Sequence, residues 1–254
     1  MMSGMVLLAV LLLQLASHQV ASFRLPPPPI ARVNVASRRS IGPVMATAGD
    51  ALPGIGDDGC RIASPSGINT LPESSQAAIV AGILASLFAG TYALVSAFDA
   101  AAAAFPLVES WKSTFALLGP VFIAAGGAHF KLKDDFMNMM PAQGAWGIWY
   151  LPGSKYFHVA WTGVAELALG TGLTAGYASN LLKLGLPQET VPLSAAGLFL
   201  LTILVSPANI YMYTHGAKLP MEGPEVPVAF HAVRGFFQIL LLTQFFELAK
   251  PLLL

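Results

Sequence analysis

Long apolar runs, separated by more polar segments, fill the sequence from residue 76 onward. Runs of about twenty apolar residues are long enough to cross the roughly 30 Å hydrocarbon core of a bilayer as helices. None of these runs alternates strictly between apolar and polar residues, as the strands of a membrane barrel do. We therefore predict an all-α membrane protein, a helical bundle of about five transmembrane helices: Gln76–Phe98, Thr114–Phe130, Phe157–Ser179, Pro192–Tyr213 and Val228–Phe246.

The composition agrees with a membrane protein and excludes several other classes. Hydrophobic residues make up 55% and charged residues only 10% of the chain, whereas soluble domains carry about 25% charged residues. A formal net charge of zero offers no attraction to nucleic acid, so the expected partner is the lipid bilayer. Cys60 is the only cysteine, which excludes an internal disulfide and a thiolate cluster, and we predict no metal site.

The first 46 residues have the composition of targeting segments rather than of a folded domain. Residues 1–22 contain a short apolar run that ends in small residues, as a signal peptide does, and residues 23–46 contain arginine but no acid, as a transit segment does. Phe23, directly after the expected signal cleavage, makes this join similar to the bipartite presequences of algae with secondary plastids. We expect a plastid membrane, thylakoid or inner envelope; the alternative is the secretory pathway or plasma membrane. Residues 47–75, rich in Gly, Pro, Ser and Asp, are predicted to be a flexible lead-in.

The distribution of basic residues predicts an orientation. We call the membrane face that carries residues 131–156 and 214–227 the loop face; with five spans it also carries the mature N-terminus. It holds more basic residues than the opposite face, so the positive-inside rule places it in the stroma. Residues 131–156 are amphipathic, and we expect them to lie in the interface with Trp146, Trp149 and Tyr150 as anchors.

Polar residues inside the spans gather in the half of the membrane nearer the loop face. Such residues are costly in lipid, and they usually face a bundle interior or a water-filled cavity. We expect six of them to converge into one pocket, a binding site without catalytic residues: His129, Glu166, Asn209, His231, Arg234 and Gln238. The last three are spaced by three and four positions, so they share one face of their helix.

Some of these residues also have purely structural interpretations. Glu166 and Arg234 lie at similar depth, and we predict an ion pair between them, which can act as a structural clamp without any ligand. His129, like His215, lies near a membrane surface, where a histidine is commonly solvated or bonded to a helix end.

Proline and glycine positions affect how the spans pack. Pro207 either lies in a kink whose freed carbonyl is satisfied by Asn209, or it belongs with Asn209 to the lining of a site. Glycines beside His129 and Glu166 should let neighbouring helices approach closely, and they are Gly126, Gly127, Gly163 and Gly170.

Four segments of the sequence are distinctive when taken together: GGAHF at 126–130, GVAELALGTGL at 163–173, SPANIYMYTHG at 206–216 and HAVRGFFQILLL at 231–242. They resemble the helices of the DoxX-like membrane family. The resemblance covers residues 114–247 and implies a four-helix core, to which the span 76–98 is an N-terminal addition. Members of that family have been linked to quinone-dependent sulfur oxidation, to redox-stress membrane complexes and, in animals, to the assembly of other membrane proteins.

The preferred hypothesis is a redox-associated subunit or accessory factor that binds a quinone-like headgroup and has no catalytic activity of its own. Arg234, His231 and His129 would donate hydrogen bonds to carbonyl oxygens, while electrons would come from another subunit of a membrane complex. One alternative is a non-enzymatic assembly factor or scaffold for thylakoid complexes, acting with other subunits or as a homo-oligomer. Another is a small-solute or proton transporter in which Glu166 is the titrating group.

Overall fold

The computed structural model describes residues 63–217 and 227–253 of the chain. The signal peptide and transit segment expected at residues 1–46 lie outside the described residues. The described part is helical and contains no strand, which confirms the predicted all-α class. Its α-helices are α1 Glu73–Ala104, α2 Pro106–Trp111, α3 Gly119–Lys131, α4 Lys133–Met139, α5 Lys155–Leu182, α6 Thr190–His215 and α7 Val228–Leu253. Short 3-10 helices cover Ile68–Thr70, Lys112–Leu118 and Ala145–Gly147.

Local sequence explains several of the helix boundaries. Ser154 caps α5, because its hydroxyl accepts a hydrogen bond from the backbone N–H of Phe157. Gly216 follows α6 in the left-handed conformation, which glycine adopts without steric cost. Pro207 lies inside α6, which continues past it to His215, so the proline does not end the helix. Asn209 directs its side chain to α7 rather than to a carbonyl freed in its own helix.

Four stretches of the described chain are long and apolar enough to cross a membrane. They are α1, α6, α7 and the combined stretch Pro106–Lys131, which joins α2, a 3-10 helix and α3. The expected count of five is therefore not confirmed. The 28-residue helix α5 has the required length but is not one of the four. It is rich in Gly and Thr and carries Glu166, which lowers its hydropathy, while the small residues suit close helix packing.

Helices α3, α5, α6 and α7 form a ring of four, and α1 packs outside it against α7 and α6. The main interfaces join α3 to α5, α5 to α6, and α6 to α7, while the 3-10 helix before α3 contacts α7 and closes the ring. An edge-on contact between Phe122 and Phe245 lies on the closing side, with ring centroids 5.1 Å apart. Helices α5 and α7 therefore occupy diagonal positions, each against α6.

Glycines bring α3 and α5 into close contact. A Cβ on Gly126 would lie 2.7 Å from the carbonyl oxygen of Gly163, and a Cβ on Gly163 would lie 2.7 Å from the Cβ of His129. Gly170 is similarly crowded, by the carbonyl oxygen of Gly119 at 2.9 Å. The expected close approach is confirmed for Gly126, Gly163 and Gly170 but is wrong for Gly127, whose Cβ would meet nothing within 4 Å.

The loop between α4 and α5 is anchored inside the protein by Trp146. This side chain is only 1% exposed, and its Nε1 donates a hydrogen bond to the Thr214 hydroxyl at 2.9 Å. The expectation that Trp146 anchors the loop in lipid is wrong. Its left-handed backbone, with φ of 57°, follows Gly144 and precedes Gly147, both also at positive φ, and this tight turn places the indole against α6. Tyr150, by contrast, is 70% exposed.

The last part of the expected lead-in packs against the end of α6. The hydroxyl of Ser64 donates to the backbone carbonyl of Thr214 at 2.9 Å, and Ser64, Ile68 and Asn69 are buried. Residues 63–72 therefore form an ordered cap beside the loop that carries Trp146.

Candidate functional site

A chain of side-chain hydrogen bonds connects α7 to α6. Arg234 donates through Nη2 to the Asn209 side-chain oxygen at 2.7 Å. The Asn209 amide donates to the Gln238 side-chain oxygen at 3.4 Å, and the Gln238 amide donates to the Ser206 hydroxyl at 2.5 Å. Ser206 in turn donates to the backbone carbonyl of Thr202 at 2.9 Å. The bonds cross back and forth between α7 and α6, and each group donates to the next from the guanidinium to Thr202, which fixes the orientation of both amides.

A cavity of about 600 Å³ lies between α1, α6 and α7, and this polar chain reaches its lining. Four of the six predicted site residues line it: Asn209, His231, Arg234 and Gln238. The remaining lining is mostly apolar and comes largely from α1, through Ile79, Ile83 and Leu87. An apolar cavity with a few convergent polar groups is the usual form of a small-molecule site.

Two glycines keep space open along the cavity. Gly82 of α1 and Gly235 of α7 both line it, and a Cβ added at either position would meet no atom within 4 Å. His231, one turn before Gly235, lies beside Tyr213 with ring centroids 5.4 Å apart. Either wall of the cavity can therefore accept an added Cβ without a clash.

His129 and Glu166 form a separate cluster between α3 and α5. The Nδ1 atom of His129 lies 3.3 Å from Oε2 of Glu166 and donates to the backbone carbonyl of Ala125 at 3.0 Å. The imidazole also stacks on Phe136 of α4, with centroids 4.0 Å apart. Both His129 and Glu166 are buried. Neither residue lines the α1–α6–α7 cavity.

The six residues thus form two clusters, and the expectation of a single pocket is wrong for His129 and Glu166. The expected ion pair between Glu166 and Arg234 does not form either, because Glu166 contacts His129 and Arg234 contacts Asn209. The physical reason is the helix arrangement. Similar depth placed the two charges side by side in the sequence analysis, but α5 and α7 lie on the diagonal of the ring with α6 between them.

His215 is buried rather than solvated at the membrane surface. It is 2% exposed, and its ring stacks on Tyr211 with centroids 4.4 Å apart. Its Nδ1 lies 2.9 Å from the Thr214 hydroxyl, which also accepts the Trp146 hydrogen bond. His215 therefore helps to hold the loop onto α6, on a side of that helix separate from the cavity lining.

Sequence reasoning missed a charge network at the opposite face. Glu247 of α7 is 3% exposed, and its two carboxylate oxygens lie 3.2 Å from Nζ of Lys112 and 2.6 Å from Nζ of Lys250. Lys250 also contacts Asp99 of α1 at 2.5 Å, and Lys112 contacts Glu109 at 2.8 Å. The spacing of Glu247 and Lys250 by three positions was the available signal. The network ties α1 and the start of Pro106–Lys131 to the end of α7.

Ser206 was also missed, although it precedes Pro207 in the quoted motif. It lies three positions before Asn209 and therefore shares a helix face with it. Within residues 63–217 and 227–253, no three His, Cys, Asp or Glu side chains lie close enough together to hold a metal ion.

The helices define the class of the protein: an all-α membrane protein with four candidate spans in its described part. No protein-family model, curated protein or solved structure matches the chain.

Proposed function

We propose that the protein is an accessory subunit of a membrane redox complex and holds the headgroup of a quinone-like amphiphile in the α1–α6–α7 cavity. The observation that carries the proposal is the cavity itself, which combines apolar walls with a polar chain that ends in Arg234. A quinone requires both features, because its carbonyl oxygens accept hydrogen bonds while its ring and tail are apolar. The resemblance to the DoxX-like family, some of whose members are linked to quinones, supports the same choice.

The side chains suit this role in complementary ways. Arg234 and His231 both line the cavity and both carry ring or guanidinium N–H groups that can donate to a carbonyl oxygen. Ile79, Ile83 and Leu87 offer an apolar wall to the ring and tail. The chain supplies binding and orientation, and a partner subunit supplies the electrons. The proton-pathway alternative rests on Glu166, which lies outside this cavity and contacts His129.

The location we propose is a plastid membrane, because residues 1–46 have the composition of a signal peptide followed by a transit segment. N-terminal sequencing of the mature protein should find a start near Ala46, after an intermediate that begins near Phe23. A mature protein that keeps residues 1–46 would contradict this location.

The binding proposal is tested by analysing what copurifies with the protein in mild detergent. Extracts of the wild-type protein should contain a quinone at close to one molecule per chain, identified by mass spectrometry. Gly235→Leu should lose it, because the new side chain enters the cavity where no atom now lies within 4 Å of the added Cβ.

Gly127→Leu is the matched control. It makes the same change at a helical glycine whose Cβ also meets nothing within 4 Å, but that glycine lies in α3, away from the cavity. It should retain the quinone. A wild-type protein free of quinone, or equal retention in the two variants, would contradict the proposed function.

A further inference from the structure

Among the described residues, the guanidinium of Arg234 has fewer acceptors than it has hydrogens. Its hydrogen bonds to the described residues all pass through Nη2, to the Asn209 oxygen at 2.7 Å and to the Met212 sulfur at 3.2 Å. A thioether sulfur is a weak acceptor. The hydrogens on Nε and Nη1 have no acceptor in the described part of the chain. The hydrogen bond to a weak sulfur acceptor indicates that the described residues offer this guanidinium few oxygen acceptors.

Arg234 also has no counter-charge among the described residues. No carboxylate of residues 63–217 or 227–253 lies within 4 Å of it. The two buried acids of that part of the chain have other partners: Glu166 lies against His129, and Glu247 lies between two lysines at the opposite face. A charged group inside a membrane-spanning helix is normally paired or faces a ligand or ion pathway.

The neutral groups around Arg234 cannot take the place of an anion. The single oxygen offered to it belongs to Asn209, whose amide is committed to Gln238 and, through it, to Ser206. His231 adds a further ring beside the cavity and no negative charge. The polar side of the cavity therefore presents one positive charge and several donors, and a negatively charged oxygen complements it best.

We infer that the cavity binds its quinone-like ligand in an anionic form, with a deprotonated oxygen against the free N–H groups of Arg234. This inference rests on the proposed function and specifies the ligand state. The ligand is a hydroxyquinone or a quinol that has lost one proton from a ring hydroxyl to water, without any change in electron count. The resulting oxyanion accepts charge-assisted hydrogen bonds, which are about twice as strong as neutral ones.

Two naphthoquinones of similar size distinguish the contribution of the negative charge to binding from that of the ring. In 2-hydroxy-1,4-naphthoquinone the hydroxyl is ionised at neutral pH, whereas 2-methyl-1,4-naphthoquinone is neutral. Dissociation constants are measured by equilibrium dialysis against the full-length protein in phosphatidylcholine nanodiscs. The wild-type protein should bind the anion at least about tenfold more tightly than the neutral compound.

Variants assign that preference to Arg234. Arg234→Gln should bring the two dissociation constants to within about twofold of each other, because a neutral amide cannot complement the charge. Arg234→Lys should keep most of the preference. Gly82→Leu, which fills the cavity from α1, should weaken binding of both compounds. Preserved preference in Arg234→Gln would overturn the inference.

If Arg234→Gln does not fold, the two dissociation constants of the wild-type protein still test the inference. Equal dissociation constants for the two naphthoquinones would overturn the anionic form and leave the proposed function standing. Absence of binding for both would contradict the proposed function itself. Phosphatidylglycerol added to the nanodiscs should not displace the anionic quinone. Displacement would show that the cavity recognises the negative charge of a lipid headgroup, and it would overturn the inference that the bound anion is a quinone.

Discussion

The interface between α3 and α5 and the interface between α1 and α7 contain similar residues but differ in packing. Each combines glycines with an ionisable side chain inside a long helix, Glu166 in the first and Arg234 in the second. A Cβ on Gly126 or Gly163 would collide with atoms of the opposing helix, and Glu166 meets His129 there. Gly82 and Gly235 face open space, and Arg234 meets no carboxylate of the described residues. Glycine thus marks a close contact at Gly126 and Gly163 and lines a cavity at Gly82 and Gly235, while elsewhere on the α1–α7 interface Gly90 is crowded by Ile239.

The difference shows that polar residues at the same depth can have opposite roles. At the α3–α5 interface Glu166 lies against His129, although its buried Oε2 has no hydrogen-bond partner among the described residues, and the two helix backbones are in close contact. At the α1–α7 interface the protein supplies donors and an apolar wall around a cavity of about 600 Å³. Only the second arrangement offers a binding site.

The largest expected effect comes from the network that ties α1 to α7 at the opposite face. Glu247→Ala removes a 3% exposed carboxylate from between Lys112 and Lys250, and it should destabilise the protein by up to about 3–5 kcal/mol, as breaking a buried pair does. Thermal unfolding in detergent measures this effect. Glu109→Ala removes an exposed partner of Lys112 and should cost only about 0–1 kcal/mol. Equal effects of the two substitutions would show that the Glu247 network does not hold the helices together.

A smaller loss is expected from crowding the closed interface. Gly163→Ala places a Cβ 2.7 Å from that of His129, so the helices must separate, at a cost of about 1–3 kcal/mol. Gly127→Ala is the control, because its Cβ meets nothing within 4 Å. The unfolding temperature should fall for the first variant and stay level or rise for the second. The account of the α3–α5 interface fails if the two variants behave alike.

Double-mutant cycles test the separation of the two clusters. Glu166→Gln and Arg234→Gln should add to within about 0.5 kcal/mol, because the two residues contact different partners. Glu166→Gln and His129→Gln should instead show a coupling of about 0.5–3 kcal/mol, because their side chains approach to 3.3 Å. The same unfolding assay serves both cycles. A coupling energy between Glu166 and Arg234 would show that the two residues interact, and it would contradict their assignment to separate clusters.

The smallest effect is expected from the open cavity. Gly235→Ala adds a Cβ without a neighbour within 4 Å and improves helix propensity, so stability should stay level or rise by up to about 1 kcal/mol. Gly163→Ala, in a crowded position, supplies the contrast. A loss of stability in Gly235→Ala would show that the cavity is closed in solution.

Much of the fold could be predicted from the sequence, because apolar length and helical spacing act locally. The spacing of His231, Arg234 and Gln238 by three and four positions placed them on one face of α7, and all three line the cavity. The predicted count of five spans is not confirmed, because α5 packs through glycines and small polar residues that lower its hydropathy.

The parts that could not be predicted depend on which helices become neighbours. Depth along a helix is readable from residue number, but the order of helices around the ring is not, so Glu166 was paired with Arg234 rather than with His129. Tryptophan is a residue type typical of interfacial anchors, yet a turn with positive φ directs the side chain of Trp146 to Thr214. Such turns are determined by tertiary contacts that a local pattern does not contain.

The most direct test of the central claim is to locate the ligand by photo-crosslinking with an azido-quinone, followed by peptide mapping. If the α1–α6–α7 cavity is the binding site, the label should fall on peptides containing residues 79–87 and 231–239, and an excess of unlabelled quinone should remove it. The label should be absent from the α3–α5 interface around His129 and Glu166. Displaceable labelling at that interface, with α1 and α7 unlabelled, would contradict the assignment of the binding site to the cavity.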